Sequence, residues 1–125
     1  MTVRLRILMA EDEALAAEVL QEGLQEFGFA VLPAEDGQAA LDLAASGAAF
    51  DVLLTDLRMP RLDGQALIRA LRRIRPDLPV VVMTGYPPPG GEGAMPPGPA
   101  PLRLLTKPIH LEALVDALHA VADAA

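Results

Sequence analysis

Short apolar runs alternate with amphipathic stretches along most of this 125-residue chain. The apolar runs have the length of buried strands, and they lie at residues 5–10, 29–33, 50–55, 79–83 and 102–105. Parallel strands need a long crossover connection, which is usually a helix. Strands that alternate with helical stretches therefore predict a parallel sheet covered on both faces, and we expect one α/β domain over residues 1–125.

Four of the intervening stretches show helical spacing, at residues 13–27, 37–47, 63–75 and 111–121. In the first, apolar residues recur at positions 15, 19, 20, 24 and 27, and Gly28 stands where a helix C-cap belongs. In the third, Asp63 is expected to cap a helix that turns Leu67, Leu71 and Ile74 inward. These patterns predict a helix after each of the first three strands and one after the last.

The position of the remaining helix, between the fourth and fifth strands, is occupied by a segment rich in proline and glycine. Seven prolines and four glycines lie among the fifteen residues 87–101. Proline lacks the backbone donor of a regular helix, and glycine disfavours one. We expect an extended, mobile loop with partial polyproline II character and no α-helix over most of this stretch. Either Met95 and proline side chains or a partner must then cover the last two strands.

Composition excludes several classes of protein. The chain has no cysteine, which rules out disulfide frameworks, zinc–cysteine sites and cysteine nucleophiles. A net charge of −7 and the lack of a basic stripe argue against nucleic-acid binding. No apolar run reaches the roughly 18 residues of a membrane span, and no signal peptide is evident. We expect a cytoplasmic protein that binds neither nucleic acid nor membrane.

Six polar or small residues follow the predicted strands. They are, in chain order, Glu11, Asp12, Asp56, Thr84, Gly85 and Lys107. Open parallel sheets bind ligands at the carboxyl ends of their strands, so these residues are expected to converge. Clustered carboxylates need a cation among them, and oxygen-only ligands favour Mg²⁺ or Mn²⁺.

Such a cluster suits phosphoryl transfer. A carboxylate can attack phosphorus and form an aspartyl phosphate, provided that nearby groups neutralise the charge. The metal ion, Lys107, the Thr84 hydroxyl and a backbone N–H near Gly85 would do so. Lys107 is the only lysine, while the nine other basic residues are arginines. A compact ammonium suits a phosphoryl oxygen better than the bulkier guanidinium, which favours a functional role for this lysine.

Four segments carry a resemblance to a known family. ILMAEDE, DVLLTDLRMPRLDG, PVVVMTGY and LLTKP occur here in the order and at the intervals of the receiver domain of two-component response regulators, the CheY-like family. The MTGY string is similar to that of stand-alone receivers and of receivers in hybrid histidine kinases. The resemblance spans nearly the whole chain and implies a flavodoxin-like, doubly wound five-stranded parallel sheet of order 2-1-3-4-5.

The resemblance also implies roles for particular residues. Asp56 would be the phosphoacceptor, and Asp12, Asp56 and the backbone carbonyl of Arg58 would bind Mg²⁺, with Glu11 contributing through water. Thr84 would be the hydroxyl that moves to the phosphoryl group.

Three further positions are implied in the same way. Lys107 would pair with a phosphoryl oxygen, and its peptide bond to Pro108 would be cis. Gly64 would let the loop after the third strand turn into the next helix.

The partners that the resemblance implies are a histidine kinase or a histidine phosphotransfer protein. Phosphorylation would switch contacts with a downstream protein, and a homodimer is allowed. The chain ends after the last helix, so its expected output is protein contact, phosphorelay transfer or a phosphate sink. Self-phosphorylation and self-dephosphorylation are expected, without an external metabolic substrate.

Two side chains depart from the receiver pattern. Leu104 stands three residues before Lys107, where receivers usually carry a tyrosine or phenylalanine that moves with the switch hydroxyl. Tyr86 is the only tyrosine and lies two residues beyond Thr84. We hypothesise that Tyr86 gates access to Asp56 or takes over part of the switch.

Two other functions stay open at this point. A haloacid-dehalogenase-like phosphatase also uses an aspartate after a parallel strand with Mg²⁺, but it generally needs a second aspartate two residues later, where this chain has Arg58. A degenerate receiver would serve only as an unphosphorylated scaffold. The missing aromatic residue and the altered segment 87–101 keep this second alternative open.

Overall fold

The computed structural model describes residues 4–124, and within them five β-strands alternate with four α-helices. The strands are β1 (Arg6–Ala10), β2 (Ala30–Ala34), β3 (Val52–Asp56), β4 (Val80–Thr84) and β5 (Leu102–Thr106). The helices are α1 (Ala14–Glu26), α2 (Gly37–Ala45), α3 (Gly64–Ile74) and α4 (Leu111–Ala124). No helix in residues 4–124 combines the length and the apolar character needed to cross a bilayer.

All strand pairs are parallel, and the sheet order is β2-β1-β3-β4-β5. This confirms the predicted doubly wound, flavodoxin-like architecture. The strand order reverses beside β1, because β2 lies on one side of β1 and β3 on the other. Ligands of such sheets bind at this reversal, beyond the carboxyl ends of the strands.

The sheet separates two apolar cores. Successive strand residues point to opposite faces, so Ile7 and Met9 enter one core while Leu8 and Ala10 enter the other. The first core is closed by α1 and α4, and the second by α2 and α3. β3 and β4 are buried along their whole length, which explains why their sequences are almost continuously apolar.

The predicted helix signals are confirmed at two ends. Asp63 caps α3, since its Oδ1 accepts a hydrogen bond of 2.9 Å from the backbone N–H of Ala66. Gly28 follows α1 with a φ of 95°, a backbone conformation that residues with a side chain rarely adopt.

The buried faces of two helices differ from the prediction. In α1, Leu15 and Val19 are 75% and 63% exposed, and the chain beyond the helix leaves Phe27 half exposed. The face that packs on the sheet instead carries Leu24, together with partly buried residues at positions 17 and 20. In α3, Ile74 is exposed and Ile68 is buried. Helical spacing identified the helices. It did not identify the buried face, because each of these helices carries apolar residues on more than one face.

The segment 87–101 forms no α-helix, as predicted. It contains a single 3₁₀ turn at Gly91–Ala94 and otherwise runs as irregular backbone. Met95 is buried and joins the core beneath α2 and α3, where Leu102 and Leu104 also pack. The alternative in which this segment covers its own side of the sheet is therefore the one observed. Its predicted mobility stays a prediction.

Two polar contacts tie this segment down. Oε2 of Glu92 accepts a hydrogen bond of 3.0 Å from the backbone N–H of Leu104, on the edge strand β5. Nη2 of Arg72 donates to the carbonyl oxygens of Ala100 and Pro101 at 3.2 and 3.3 Å. Side chains thus fix this segment at two points to neighbouring elements through backbone groups.

Candidate functional site

The carboxyl edge of the sheet brings the sequence-predicted side chains together. Asp56 and Thr84 are the last residues of β3 and β4, Glu11 follows β1 directly, and Lys107 follows β5. The parallel register pairs Asp56 with Met83 and Thr84 with Thr106, so the strands end at almost the same level. Residues far apart in the sequence consequently meet at one edge.

Lys107 and Asp56 form the central contact of the site. Nζ of Lys107 donates to Oδ2 of Asp56 at 2.5 Å and lies 3.8 Å from Oε1 of Glu11. The backbone N–H of Lys107 also donates to the carbonyl oxygen of Thr84 at 2.8 Å. The backbone of Lys107 is therefore fixed at the end of β4. Its ammonium lies between the carboxylates of Asp56 and Glu11.

Asp12 joins these two carboxylates in a cluster of three. Glu11, Asp12 and Asp56 each place an oxygen within 4.8 Å of the others'. Glu11 is 2% exposed, and neither of its carboxylate oxygens accepts a hydrogen bond within the part of the chain that the structure describes. Burial, opposed by the charge of Lys107 and reinforced by that of Asp56, raises the pKa of Glu11 to about 7.

These residues fit a hard divalent cation. Mg²⁺ and Mn²⁺ prefer oxygen ligands, and the orphaned buried oxygens of Glu11 are the kind of group that a cation or its bound water satisfies. Asp12 is exposed, so the cluster opens toward solvent. A cation would also lower the pKa of Glu11, because the ionised form would gain an opposite charge.

The loop after β3 folds tightly against the phosphoacceptor candidate. Oδ1 of Asp56 accepts a hydrogen bond of 3.2 Å from the backbone N–H of Arg58. The N–H of Gly64 donates to the carbonyl oxygen of Leu57 at 2.9 Å, which closes the loop where α3 begins. A β-carbon at Gly64 would overlap the carbonyl oxygen of Asp56, so this glycine is required for close backbone approach.

Thr84 is buried, and its hydroxyl accepts a hydrogen bond of 3.2 Å from the backbone N–H of Tyr86. Gly85 is exposed in the turn between them. The ring of Tyr86 is 71% exposed, and the guanidinium carbon of Arg58 lies 4.6 Å from its centroid. Thr84 thus ends β4 with a buried hydroxyl, whereas Tyr86 lies against Arg58 in the loop that follows Asp56.

The two remaining sequence-predicted positions lie on either side of Lys107. The Lys107–Pro108 peptide bond is cis. Pro108 lines an apolar groove of about 460 Å³ beside the carboxylates, together with Leu15, Val19 and Met83. Leu104 is partly buried and packs against the core cluster that includes Met95.

Sequence reasoning missed one pair near the site. The Arg61 guanidinium donates to both carboxylate oxygens of Asp36, at 2.7 and 2.9 Å. Asp36 lies at the start of α2, and Arg61 lies in the loop after Asp56. The Asp-Gly dipeptide at 36–37 signals a turn, but nothing local connects it with a residue 25 positions away.

Comparisons with known proteins agree with this geometry. The family model described as the response regulator receiver domain matches residues 7–119. A response regulator MprA from Mycolicibacterium vanbaalenii is 43% identical over 79 residues, which are 63% of this chain and 34% of that protein. The corresponding protein from Mycobacterium avium is 42% identical over 80 residues, 64% of this chain and 35% of that protein. The chain therefore spans about a third of the length of these relatives.

Solved structures extend the likeness across the whole fold. A response regulator receiver protein from Sinorhizobium medicae has a TM-score of 0.85 and 29% identity, over 97% of this chain and 96% of that one. The receiver domain of the hybrid histidine kinase CckA has a TM-score of 0.76 and 30% identity, covering 94% and 98% of the two chains. Given this match and the converged residues, the chain belongs to the response regulator receiver domain family.

Proposed function

We propose that Asp56 accepts a phosphoryl group from a phosphohistidine. An oxygen of Asp56 attacks phosphorus, the phosphorus–nitrogen bond breaks, and the imidazole leaves with the bonding electron pair and gains a proton. The observation that carries this proposal is the contact of 2.5 Å between Lys107 and Asp56 inside the carboxylate cluster. It supplies a nucleophile and a fixed positive charge at the same point.

Glu11, Asp12, Asp56 and the backbone carbonyl of Arg58 are the groups that would hold Mg²⁺ or Mn²⁺. When bound, the ion would neutralise charge that develops on the phosphoryl oxygens. The cluster of oxygens within 4.8 Å and the unpartnered buried carboxylate of Glu11 support this assignment.

Lys107 and Thr84 complete the proposed site. After transfer, the ammonium of Lys107 would exchange its contact with Asp56 for one with a phosphoryl oxygen. The Thr84 hydroxyl accepts a hydrogen bond from Tyr86 in this structure. In the phosphorylated protein the hydroxyl would instead donate to the phosphoryl group, which would change the course of the chain from Tyr86 into the segment 87–101.

The proposed donor is a histidine kinase or a histidine phosphotransfer protein, and the proposed output is a changed contact with another protein. We treat residues 1–125 as one receiver unit in this proposal. Hydrolysis of the aspartyl phosphate would return the unit to its resting state without turnover of an external metabolite.

Intact-mass measurement tests this function. The protein is incubated with Mg²⁺ and acetyl phosphate, or with a phosphorylated histidine kinase, alongside Asp56→Asn. We expect one phosphoryl group per chain, labile in base and absent from the variant. An unmodified wild type would favour the scaffold alternative instead.

Small phosphate esters provide the second comparison. Rapid multiple turnover of such esters would favour the haloacid-dehalogenase-like alternative. The side chain two residues after Asp56 is the exposed guanidinium of Arg58, which lies beside Tyr86 and supplies no carboxylic acid. We therefore expect no such turnover.

A further inference from the structure

Arg61 has an unusual backbone conformation and a specific partner. Its φ is 68°, and it is the only non-glycine residue with positive φ among residues 4–124. A left-handed conformation is unfavourable for a residue with a β-carbon, so other contacts must maintain it. The side chain provides them, because Nε and Nη2 of Arg61 donate to the two carboxylate oxygens of Asp36 at 2.7 and 2.9 Å.

Asp36 is equally constrained. It is 5% exposed, and its Oδ1 also accepts a hydrogen bond of 2.8 Å from the backbone N–H of Ala39, which caps α2. The guanidinium of Arg61, with the help of this cap, keeps the pKa of Asp36 below its ordinary value. The ionised carboxylate therefore joins the start of α2 to the loop after β3.

The same loop touches α2 at a second point. A β-carbon at Gly37 would overlap the carbonyl oxygen of Leu62, so the helix begins directly against the loop backbone. The N–H of Leu62 donates to the carbonyl oxygen of Pro60 at 2.8 Å, which makes the turn tight. Residues 57–63 thus run between two anchors, the Asp56 end of β3 and the start of α2.

We infer that Arg61 and Asp36 are positioning residues for the phosphorylation site. Their bidentate ion pair holds residues 57–63 so that the backbone of Arg58 stays beside Asp56, where its N–H meets Oδ1. The Arg58 carbonyl oxygen would be held there as a ligand for the cation. This inference rests on the proposed function for the role of the Arg58 carbonyl. It assigns to a side chain outside the cluster the control of one of the cluster's ligands.

Arg61→Gly separates this role from a general effect on folding. Glycine adopts the observed φ without strain, so the variant removes the ion pair while it relieves the backbone. The control is Arg6→Ala, which removes another bidentate pair, that of Arg6 with Asp51, at the opposite edge of the sheet. Asp36→Asn provides a second variant that keeps an oxygen for Ala39 but loses the charge.

Two measurements are made on each protein. Calorimetric titration with Mg²⁺ is expected to show a Kd about tenfold higher in Arg61→Gly and raised in Asp36→Asn, with Arg6→Ala equal to wild type. Amide exchange at Gly64, whose N–H closes the loop on Leu57, is expected to accelerate only in the first two variants. Wild-type Kd and wild-type exchange in Arg61→Gly would overturn the inference.

The wild-type protein separates this inference from the proposed function. If neither acetyl phosphate nor a phosphorylated histidine kinase modifies wild-type Asp56, the proposed function fails. Accelerated exchange at Gly64 in the two variants would still show, in that case, that the Arg61–Asp36 pair holds residues 57–63. If wild type is phosphorylated and Arg61→Gly matches it in both measurements, only the positioning role of the Arg61–Asp36 pair is overturned.

Discussion

The guanidinium of Arg58 lies over the ring of Tyr86, with 4.6 Å between the guanidinium carbon and the ring centroid. These residues follow Asp56 and Thr84 by two positions each, so the contact bridges the two loops that flank the phosphoacceptor candidate. Tyr86→Ala would remove the ring and release Arg58. We expect the aspartyl phosphate to hydrolyse about two- to fivefold faster, the range that corresponds to one exposed cation–π contact.

Phosphate release from isolated phosphoprotein measures this effect. Tyr86→Phe is the matched control, because it keeps the aromatic face and loses only the hydroxyl. An unchanged phosphoryl lifetime in Tyr86→Ala would reject the hypothesis that Tyr86 gates access to Asp56.

Lys107 carries the fixed positive charge of the site. Lys107→Met keeps the length of the side chain and removes the ammonium that lies 2.5 Å from Asp56. We expect the rate constant for phosphorylation by acetyl phosphate to fall about a hundredfold, the usual cost of one lost stabilising donor. Lys107→Arg is expected to recover little of this rate, since a planar guanidinium does not replace a point charge between two carboxylates.

A control for net charge is available on the preceding strand. Arg103→Met removes an exposed cation from β5 and is expected to leave the rate constant unchanged. Full activity in Lys107→Arg would show instead that any cation at this position suffices.

Glu11 gives the metal-free protein a specific pH dependence. Its pKa is about 7 in the folded protein against an ordinary value of 4.5, because burial disfavours the charged form. Between these two values the folded state keeps a proton that the unfolded state has released. The free energy of unfolding is therefore expected to fall as the pH rises from about 4.5 to about 7, by about 2 kcal/mol.

Denaturant unfolding in EDTA at several pH values tests this slope. Glu11→Gln is expected to be the more stable protein at pH 7.5 and to lose most of the decline. Glu13→Gln changes an exposed carboxylate of the same segment and should retain it. An identical slope in wild type and Glu11→Gln would contradict the assignment. Added Mg²⁺ is expected to stabilise wild type at pH 7.5 more than Glu11→Gln.

The residues of the cluster could be found from the sequence because one topological rule locates them. Parallel strands with helical crossovers end at a common edge, so Asp56, Thr84 and Lys107 were expected to converge without any knowledge of their contacts. The lack of an α-helix in residues 87–101 could also be predicted from the sequence, since proline and glycine act through local backbone chemistry.

Packing between residues far apart in the chain was harder to predict from the sequence. Periodicity indicated that α1 is a helix, but Leu15 and Val19 belong to an apolar row that the structure leaves exposed, while the row of Leu24 faces the sheet. The pair of Arg61 and Asp36 joins residues 25 positions apart. Local patterns report propensity and spacing, and neither property encodes which distant side chain a guanidinium will reach.

Met95 supplies apolar contacts at the position between β4 and β5 where a helix would otherwise pack. It is 5% exposed and packs in the core with Leu102 and Leu104, between the segment 87–101 and the sheet. Met95→Ala would leave a cavity there, so the free energy of unfolding is expected to fall by about 2–3 kcal/mol. Leu15→Ala is the control, because Leu15 is 75% exposed and its truncation should change that free energy by about 0.5 kcal/mol or less.

Amide exchange distinguishes a segment that is anchored mainly by Met95 from one that is rigid along its whole length. Across residues 88–100, the local backbone bonds lie in and around the 3₁₀ turn, and they include those of the N–H groups of Gly91, Gly93 and Met95. We therefore expect rapid exchange over most of the segment and slower exchange at Leu104, whose N–H is bound by Glu92. In Met95→Ala, exchange at Leu104 should accelerate, because Glu92 is held against β5 by the segment that Met95 anchors. Strong protection throughout residues 88–100 would contradict the predicted mobile loop. No change at Leu104 would mean that the polar contacts of Glu92 and Arg72 hold the segment without Met95.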